Sequence, residues 1–399
     1  MVVSRKEKFY SLQCSQCGIL QDHSKGVSLC VDCKAPPDIF YSKPASLDFS
    51  QFRDVRLANY FPGLWSMWDV LPLHDPSNIV SLGEGGTPCI PLKNIGNKLG
   101  LKDLWAKLEY LNPTGSFKDR GTTVMLSAAK EFGLTRLVED SSGNAGSSFA
   151  SYASRGQLDA SVFIPEHAPN AKRLQISFYG ADVYPTSGTR DDVAQSAVDY
   201  AAENGLYYSS HNISPYFIEG TKTVAYELML WSGNRPIDHM IFPVGNGSLI
   251  IGCWKGFKEV KESRNYDDAQ PVTFPKLHAV QSHACNPIVS CWRGTQWDVS
   301  QVSNGIAGGI MVGTPPRGFQ VLQVLEDTSG SAVSVSDGDI GTWQKLLAEE
   351  EGLFVEPTSA AAFAGLELLV ADRTISKSDL TVVPITGFGL KDTKNLDVG

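Results

Sequence analysis

The 399-residue chain has no surplus of basic charge: its formal net charge is −9. A basic face for nucleic acid or an anionic membrane surface is therefore not expected. It also has no long apolar run. The most apolar late stretch, residues 360–371, includes Glu367 and is too short and too polar to cross a bilayer, so it reads as a buried core helix. The opening MVVSRKEKFYSLQC contains neither an apolar core nor a small-residue cleavage pattern. No secretion signal is expected, and the cytoplasm is the expected compartment. Eight cysteines without such a signal argue against a disulfide framework and for reduced thiols or metal ligands. Internal repeats and low-complexity tracts are lacking too. What remains is ordinary for a soluble, well-cored protein: 42% hydrophobic and 19% charged residues, in a chain long enough for two domains or one large α/β unit with an appendage.

The first forty residues differ from the rest. Cys14 and Cys17 form one pair and Cys30 and Cys33 a second, with Gly18 behind the first. Two such knuckles can set four thiolates at the corners of a tetrahedron, the arrangement of a structural zinc ion. Residues 1–35 hold five Lys/Arg and three Asp/Glu, a surplus too small for a nucleic-acid-binding ribbon. Residues 36–80, rich in proline and aromatics (Phe61, Trp65, Trp68), read as a strap packed on the main body. From Ser81 onward strand-like and helix-like segments alternate. The strands are expected in TRLVEDSS, DASVFIPE, ADVYPTS, LYYSSH, HMIFPVG, KLHAVQSH and LTVVPI. Such alternation means parallel β-α-β units and a doubly wound sheet, with ligands at the carboxyl ends of the strands.

Four motifs carry the candidate chemistry, three of them at such ends. In residues 112–121, NPTGSFKDRG, a turn leads into a helix with Lys118 in its first turn; the positive helix end and desolvation both favour a neutral, nucleophilic amine. In residues 141–146, SSGNAG, small residues expose backbone N–H groups at a helix start, and Asn144 adds an amide donor. Residues 244–249, VGNGSL, form a glycine-rich turn suited to a small phosphate ester. This loop has neither the lysine of a P-loop nor the dinucleotide fingerprint. In residues 386–391, TGFGLK, Thr386 stands at a strand end before two glycines. Read singly, each could be an ordinary turn.

Together and in this order, they resemble the tryptophan-synthase-β-like (fold type II) family of pyridoxal-5'-phosphate (PLP) enzymes, and most of all its threonine synthases. SLGEGGTP (81–88), NPTGSFKDRG, IEGTKT (218–223), VGNGS, VEPTSAAAFAGL (355–366) and TGFGLKD carry the resemblance, which covers the chain from Cys14 onward. It implies an α/β fold of two doubly wound parallel-sheet subdomains behind a small zinc-ribbon-like segment. The expected limits are 8–40 for the ribbon, 41–115 with 225–399 for the large cofactor-binding subdomain, and 116–224 for the smaller substrate-gating one. It implies that Lys118 holds PLP as a Schiff base and shuttles protons. Phe117, Asn144, Gly245, Asn246, Gly247, Ser248, Leu249 and Thr386 would bind the cofactor. Ser141, Ser142, Ala145 and Lys222 would bind an amino-acid substrate. A homodimer is expected. The implied reaction is elimination or replacement at a β- or γ-leaving group, the nearest being O-phosphohomoserine to threonine and phosphate. The alternative is β-replacement or β-elimination on phosphoserine, O-acetylserine, serine or threonine. A silent PLP-binding regulator and a zinc-ribbon interaction protein are the competing classes; the retained Lys118 and the intact glycine loops speak against them.

The chain departs from the family pattern at two positions. Ala145 stands where threonine is usual. Phe217, in SPYF, stands where the family has an arginine that grips the substrate phosphate. Replacing that arginine removes a bidentate, charge-assisted contact. His211, Asn212, Arg190, Lys222 and Arg317 are candidates to restore the charge; His211 reads more simply as a satisfied core residue.

Overall fold

A computed structural model describes residues 10–21, 29–42, 63–166, 170–233, 235–263 and 273–393. Residues 8, 9 and 22–28 of the expected ribbon, and Phe61 of the strap, lie outside these. The chain divides into two compact units, Met1–Gly86 with Asn112–Thr223, and Thr87–Leu111 with Val224–Gly399. Residues 63–86, expected with the larger subdomain, fall in the first unit. Leu64, Trp65, Trp68, Leu71 and Leu73 share one core with Val124, Met125 and Phe149, and Trp65 Nε1 donates to Glu84 and Thr123.

Strands are numbered along the chain. The first unit opens with a small antiparallel sheet of β1 (Tyr10–Cys14), β2 (Leu20–Gln21) and β3 (Pro37–Tyr41), in the order β2-β1-β3. Its turns carry the cysteine pairs. The strands β4 (Cys89–Pro91) and β5 (Leu104–Lys107) belong to the second unit. The main sheet of the first unit comprises β6 (Arg136–Glu139), β7 (Asp159–Pro165), β8 (Asp182–Thr186) and β9 (Tyr207–Tyr208). Its order is β8-β7-β6-β9 and every pairing is parallel. Helices Asn144–Gly156, Asn170–Phe178 and Arg190–Glu203 connect these strands. The last begins with a reciprocal capping box of Thr189 and Asp192, which satisfies two orphan backbone donors.

The second unit holds a six-stranded sheet in the order β12-β11-β10-β13-β5-β4, with β10 (His239–Pro243), β11 (Lys276–Ser282), β12 (Ala332–Val335) and β13 (Thr381–Pro384). Only the β4–β5 pairing is antiparallel. All five residues of β10 are buried, an unbroken pattern that marks a strand covered on both faces. Helix Pro357–Ala371, read from sequence as a core helix, buries Pro357 to Leu366 almost continuously. A helix apolar all round belongs inside a protein or a membrane. Its one acid, Glu367, accepts a hydrogen bond from Trp343 Nε1 at 2.8 Å. Among the described residues, no helix is long and apolar enough to cross a membrane.

Candidate active site

In the first unit the turn before Lys118 is clamped by the helix it introduces. Thr114 donates through its backbone N–H and its hydroxyl to the two carboxylate oxygens of Asp119, at 2.7 and 2.6 Å. Asp119 is fully buried in the first turn of helix Lys118–Glu131, where a negative charge opposes the positive helix end. Lys118 is the helix's first residue and is half-buried. Its Nζ lies 4.8 Å from the Phe117 ring and 5.5 Å from the Phe217 ring. Phe217 comes from helix Pro215–Thr221, which crosses the lysine helix at glycines. A Cβ on Gly220 would sit 1.8 Å from the Arg120 carbonyl oxygen, and one on Gly121 would lie 2.5 Å from the Phe217 ring. Only glycine admits this crossing, and the crossing brings Phe217 beside Lys118.

The SSGNAG turn follows β6, and Asn144 starts the next helix. Ser141 and Ala145 are buried, and Ser142 and Asn144 half-buried. The turn is tight: a Cβ on Gly146 would lie 1.8 Å from the Ser141 carbonyl oxygen. β9 runs parallel to β6, so the loop after it lies beside this turn. There the fully buried Glu139 accepts from the His211 backbone N–H at 3.2 Å and is 3.1 Å from His211 Nδ1. Among the described residues, His211 Nε2 has no hydrogen-bond partner. Burial, more than the opposing N–H groups of Asp140 and His211, pushes Glu139 up to about 7. Burial and then the charge of Lys118 hold His211 well below the usual imidazole range. Asp140 accepts from the Tyr208 hydroxyl at 2.8 Å; burial and then Glu139 push it up to about 6, while His211 and Arg190 pull it down. Four buried hydroxyls on these segments, of Ser116, Ser148, Ser209 and Ser214, have no partner among the described residues. Buried hydroxyls left unmet are costly, on the order of 1–3 kcal/mol each, unless a ligand or water meets them.

Of the other cations proposed at this site, Lys222 is fully buried, 2.5 Å from Glu219 and 4.7 Å above the Tyr41 ring. Its charge is met within the first unit. Arg190 is exposed at the start of its helix. Arg317 belongs to the second unit, where it donates to Gln320 at 2.7 Å.

The other predicted residues lie in the second unit. β10 and β13 are adjacent and parallel, so the VGNGSL turn and Thr386 emerge side by side at one edge of the sheet. Gly247 has φ +85°, and a Cβ there would also meet Val321 at 2.3 Å. Ser248 opens helix Ser248–Ser263, and Leu249 points into the core. A left-handed glycine ahead of a sixteen-residue helix leaves backbone N–H groups for an anion, and fits a cofactor phosphate. The Thr386 hydroxyl lies 2.9 Å from Ser359 Oγ and donates to Glu356 at 3.2 Å. It is a neutral group held in place.

The four ribbon cysteines are free, and their sulfurs lie within 4.8 Å of one another. Cys14–Cys33, Cys17–Cys30 and Cys17–Cys33 separations are 3.2, 3.6 and 3.7 Å. Tetrahedral Zn–S bonds of about 2.3 Å put sulfurs about 3.8 Å apart.

The sequence motifs did not single out Glu139 or Asp140. The available signal was a pair of consecutive acids closing an apolar strand immediately before the SSGNAG turn.

A family model described as pyridoxal-phosphate dependent enzyme matches residues 80–387. A threonine synthase of Methanocaldococcus jannaschii is 36% identical over 95% of this chain and 92% of its own length. One from Bacillus sp. (strain ULM1) is 36% identical over 81% of this chain and 88% of its own. Among solved structures, the processed form of threonine deaminase isoform 2 from Solanum lycopersicum aligns with TM-score 0.67 at 21% identity, covering 94% of each chain. Maize serine racemase aligns with TM-score 0.64 at 24% identity, over 78% of this chain and 89% of its own. These two show the fold alone. The family model and the identity to threonine synthases make this chain a member of the pyridoxal-phosphate dependent enzyme family, a threonine synthase-like lyase or β-replacement enzyme that uses PLP.

Proposed function

We propose that Lys118 holds PLP covalently and that the enzyme eliminates or replaces a leaving group on the side chain of an amino acid. The observation that carries this reading is the placement of Lys118 as the first residue of its helix, half-buried against Phe117 and Phe217. Bound PLP supplies an electron sink that makes the substrate Cα proton acidic. Lys118 then takes and returns that proton. By the resemblance to the family, Asn144 would bind the cofactor's 3' oxygen, Gly245, Asn246, Gly247 and Ser248 would bind its phosphate, and Thr386 would offer the ring nitrogen a neutral hydroxyl without the charge an aspartate would bring. Ser141, Ser142 and the backbone at Ala145 hold the substrate carboxylate. Lys222 we assign instead to anchoring its helix through Glu219. Cys14, Cys17, Cys30 and Cys33 hold a structural zinc ion whose four thiolates leave no open position. Tyr41, at the end of β3, donates to Glu219 at 2.6 Å and so ties the ribbon to the helix that bears Phe217.

Borohydride reduction followed by peptide mapping tests the central assignment. The cofactor is expected on Lys118; a label on another lysine would end this reading. A second reading, threonine formation from O-phosphohomoserine, is favoured by the identity to threonine synthases. The phenyl ring of Phe217 beside Lys118 supports a different leaving group.

A further inference from the structure

Resting on the reading of Lys118 just given, we propose that His211 and Glu139 form a proton-donating pair for a leaving hydroxyl, so that the site takes a hydroxy amino acid rather than a phosphate ester. Three observations meet here. First, Phe217 offers an apolar ring where the family has an anion-gripping arginine, and this ring lies 5.6 Å from His211 and 5.5 Å from Lys118 Nζ. A phosphate beside it would lack its cation and would face two buried acids, Glu139 and Asp140. Second, His211 spends Nδ1 on Glu139, while Nε2 has no partner among the described residues. A buried imidazole held by a carboxyl group on one nitrogen and open on the other is built to pass a proton. Third, the partnerless hydroxyls of Ser209 and Ser214 flank His211 in its loop, which a small polar group entering the site would satisfy.

The chemistry distinguishes the two leaving groups. Phosphate departs as a stable anion and needs positive charge; hydroxide is a poor leaving group and needs a proton. In the proposed step Lys118 takes the Cα proton, and the Cα–H electron pair becomes the second Cα–Cβ bond. The Cβ–O bond breaks with its pair on oxygen. The Nε2 proton of His211 goes to that oxygen, which leaves as water, and the Glu139 proton moves to Nδ1. Glu139 ends as carboxylate, His211 ends neutral, and solvent returns the proton. The charged and titratable groups around the pair are Lys118, Asp140, Tyr208 and Arg190. Burial raises Glu139 to about 7, which lets it carry the proton near neutrality.

The test compares L-serine with β-chloro-L-alanine, whose chloride leaves without a proton, on cofactor-loaded wild type, His211→Gln and Glu139→Gln. The kcat ratio of serine to chloroalanine is expected to fall about 10²-fold or more in both variants. Cofactor absorption in the visible checks that each variant is folded. Infrared difference spectra of the cofactor-free protein supply a second readout. A protonated carboxyl band is expected at pH 6, lost by pH 8 and weakened in Glu139→Gln to the share that Asp140, raised to about 6, contributes. Equal losses on both substrates, or no such band, would overturn the relay while leaving the Lys118 reading intact. Wild-type turnover of O-phosphohomoserine far above serine would overturn the substrate class. Loaded wild-type enzyme inert toward both serine and chloroalanine would likewise overturn the substrate class, whereas a borohydride-fixed cofactor on another lysine would defeat the Lys118 reading itself.

Discussion

Two buried histidine systems, one in each unit, can be set side by side. In the second unit His239 opens β10 and shares a 2.9 Å hydrogen bond with His278 of β11. The outer nitrogens are also engaged: His239 Nε2 lies 3.1 Å from Asp379, and His278 Nδ1 lies 2.8 Å from the Ser331 hydroxyl. All four ring nitrogens have partners. In the first unit His211 uses one nitrogen of two. The first system sits toward the amino ends of its strands, the second at a carboxyl end beside the helix starts that bear Lys118 and Asn144. Open α/β sheets bind ligands at the carboxyl ends. A satisfied buried network gives rigidity, whereas an open donor at the ligand end is available for chemistry. Burial alone therefore does not separate a structural histidine from a functional one; the second nitrogen does.

This contrast can be broken by experiment, and the largest expected effect lies at the carboxyl end. Lys118→Ala should lower kcat on the order of 10⁴-fold or more, because removing a group that acts covalently abolishes the pathway. The variant should keep its fold and lose the borohydride-reducible link; retention of that link would show the wrong lysine. Next comes substrate choice. With Phe217 in place of a charge-assisted contact, kcat/KM for O-phosphohomoserine should lie roughly 30- to 1000-fold below that for the best hydroxy amino acid. Phosphate and keto-acid release across a substrate panel measures this directly, and a reversed order would restore the plain threonine synthase reaction.

At the amino end the signature should invert. Asp379→Ala removes the outer partner of His239 and should lower stability by about 1–3 kcal/mol, read by denaturant titration, without moving the pH profile of kcat. A shifted profile would mean that this cluster also reaches the chemistry. The pH dependence of stability separates the two systems further. Glu139 rises to about 7 in the fold from an ordinary 4.5, so the folded chain holds a proton the unfolded chain has released. Its contribution to stability should therefore fall as pH rises from about 4.5 through 7. Glu139→Gln should flatten that part of a thermal-midpoint curve, with a residual slope from Asp140. The smallest effect on turnover should come from the ribbon. Removing metal from Cys14, Cys17, Cys30 and Cys33 with a chelator should release one zinc per chain and lower the thermal midpoint. Turnover at 25 °C should change less than about twofold, since a closed tetrathiolate site offers no position to substrate.

The contrast also explains what could be read in advance. Lys118, Asn144, Gly247 and Thr386 announce themselves because each sits in a short segment whose backbone needs particular residues. A left-handed turn at Gly247 and helix starts at Lys118, Asn144 and Ser248 leave their mark within a few neighbours. The cysteine knuckles and the apolar strands β10 and β13 are legible for the same reason. The strap was read as packed on the main body, without the surface it packs on. Trp65 and Trp68 join the core containing Val124 and Phe149, a choice among equally apolar surfaces that hydropathy does not make.

Sequence by itself determined the alternation of strands and helices, the cofactor-type turns and the paired thiols, all of which are local demands of backbone geometry and ligand chemistry. Only tertiary structure decided how side chains far apart in the chain share charge. Glu139 and His211 stand 72 residues apart and meet because β9 pairs with β6. Phe217 reaches Lys118 because Gly121 and Gly220 let two helices cross in near contact. The charge of Lys222 is used inside the fold because Glu219 lies beside it in the interior. Desolvation and pairing are set by which groups are buried together, and that is a property of packing.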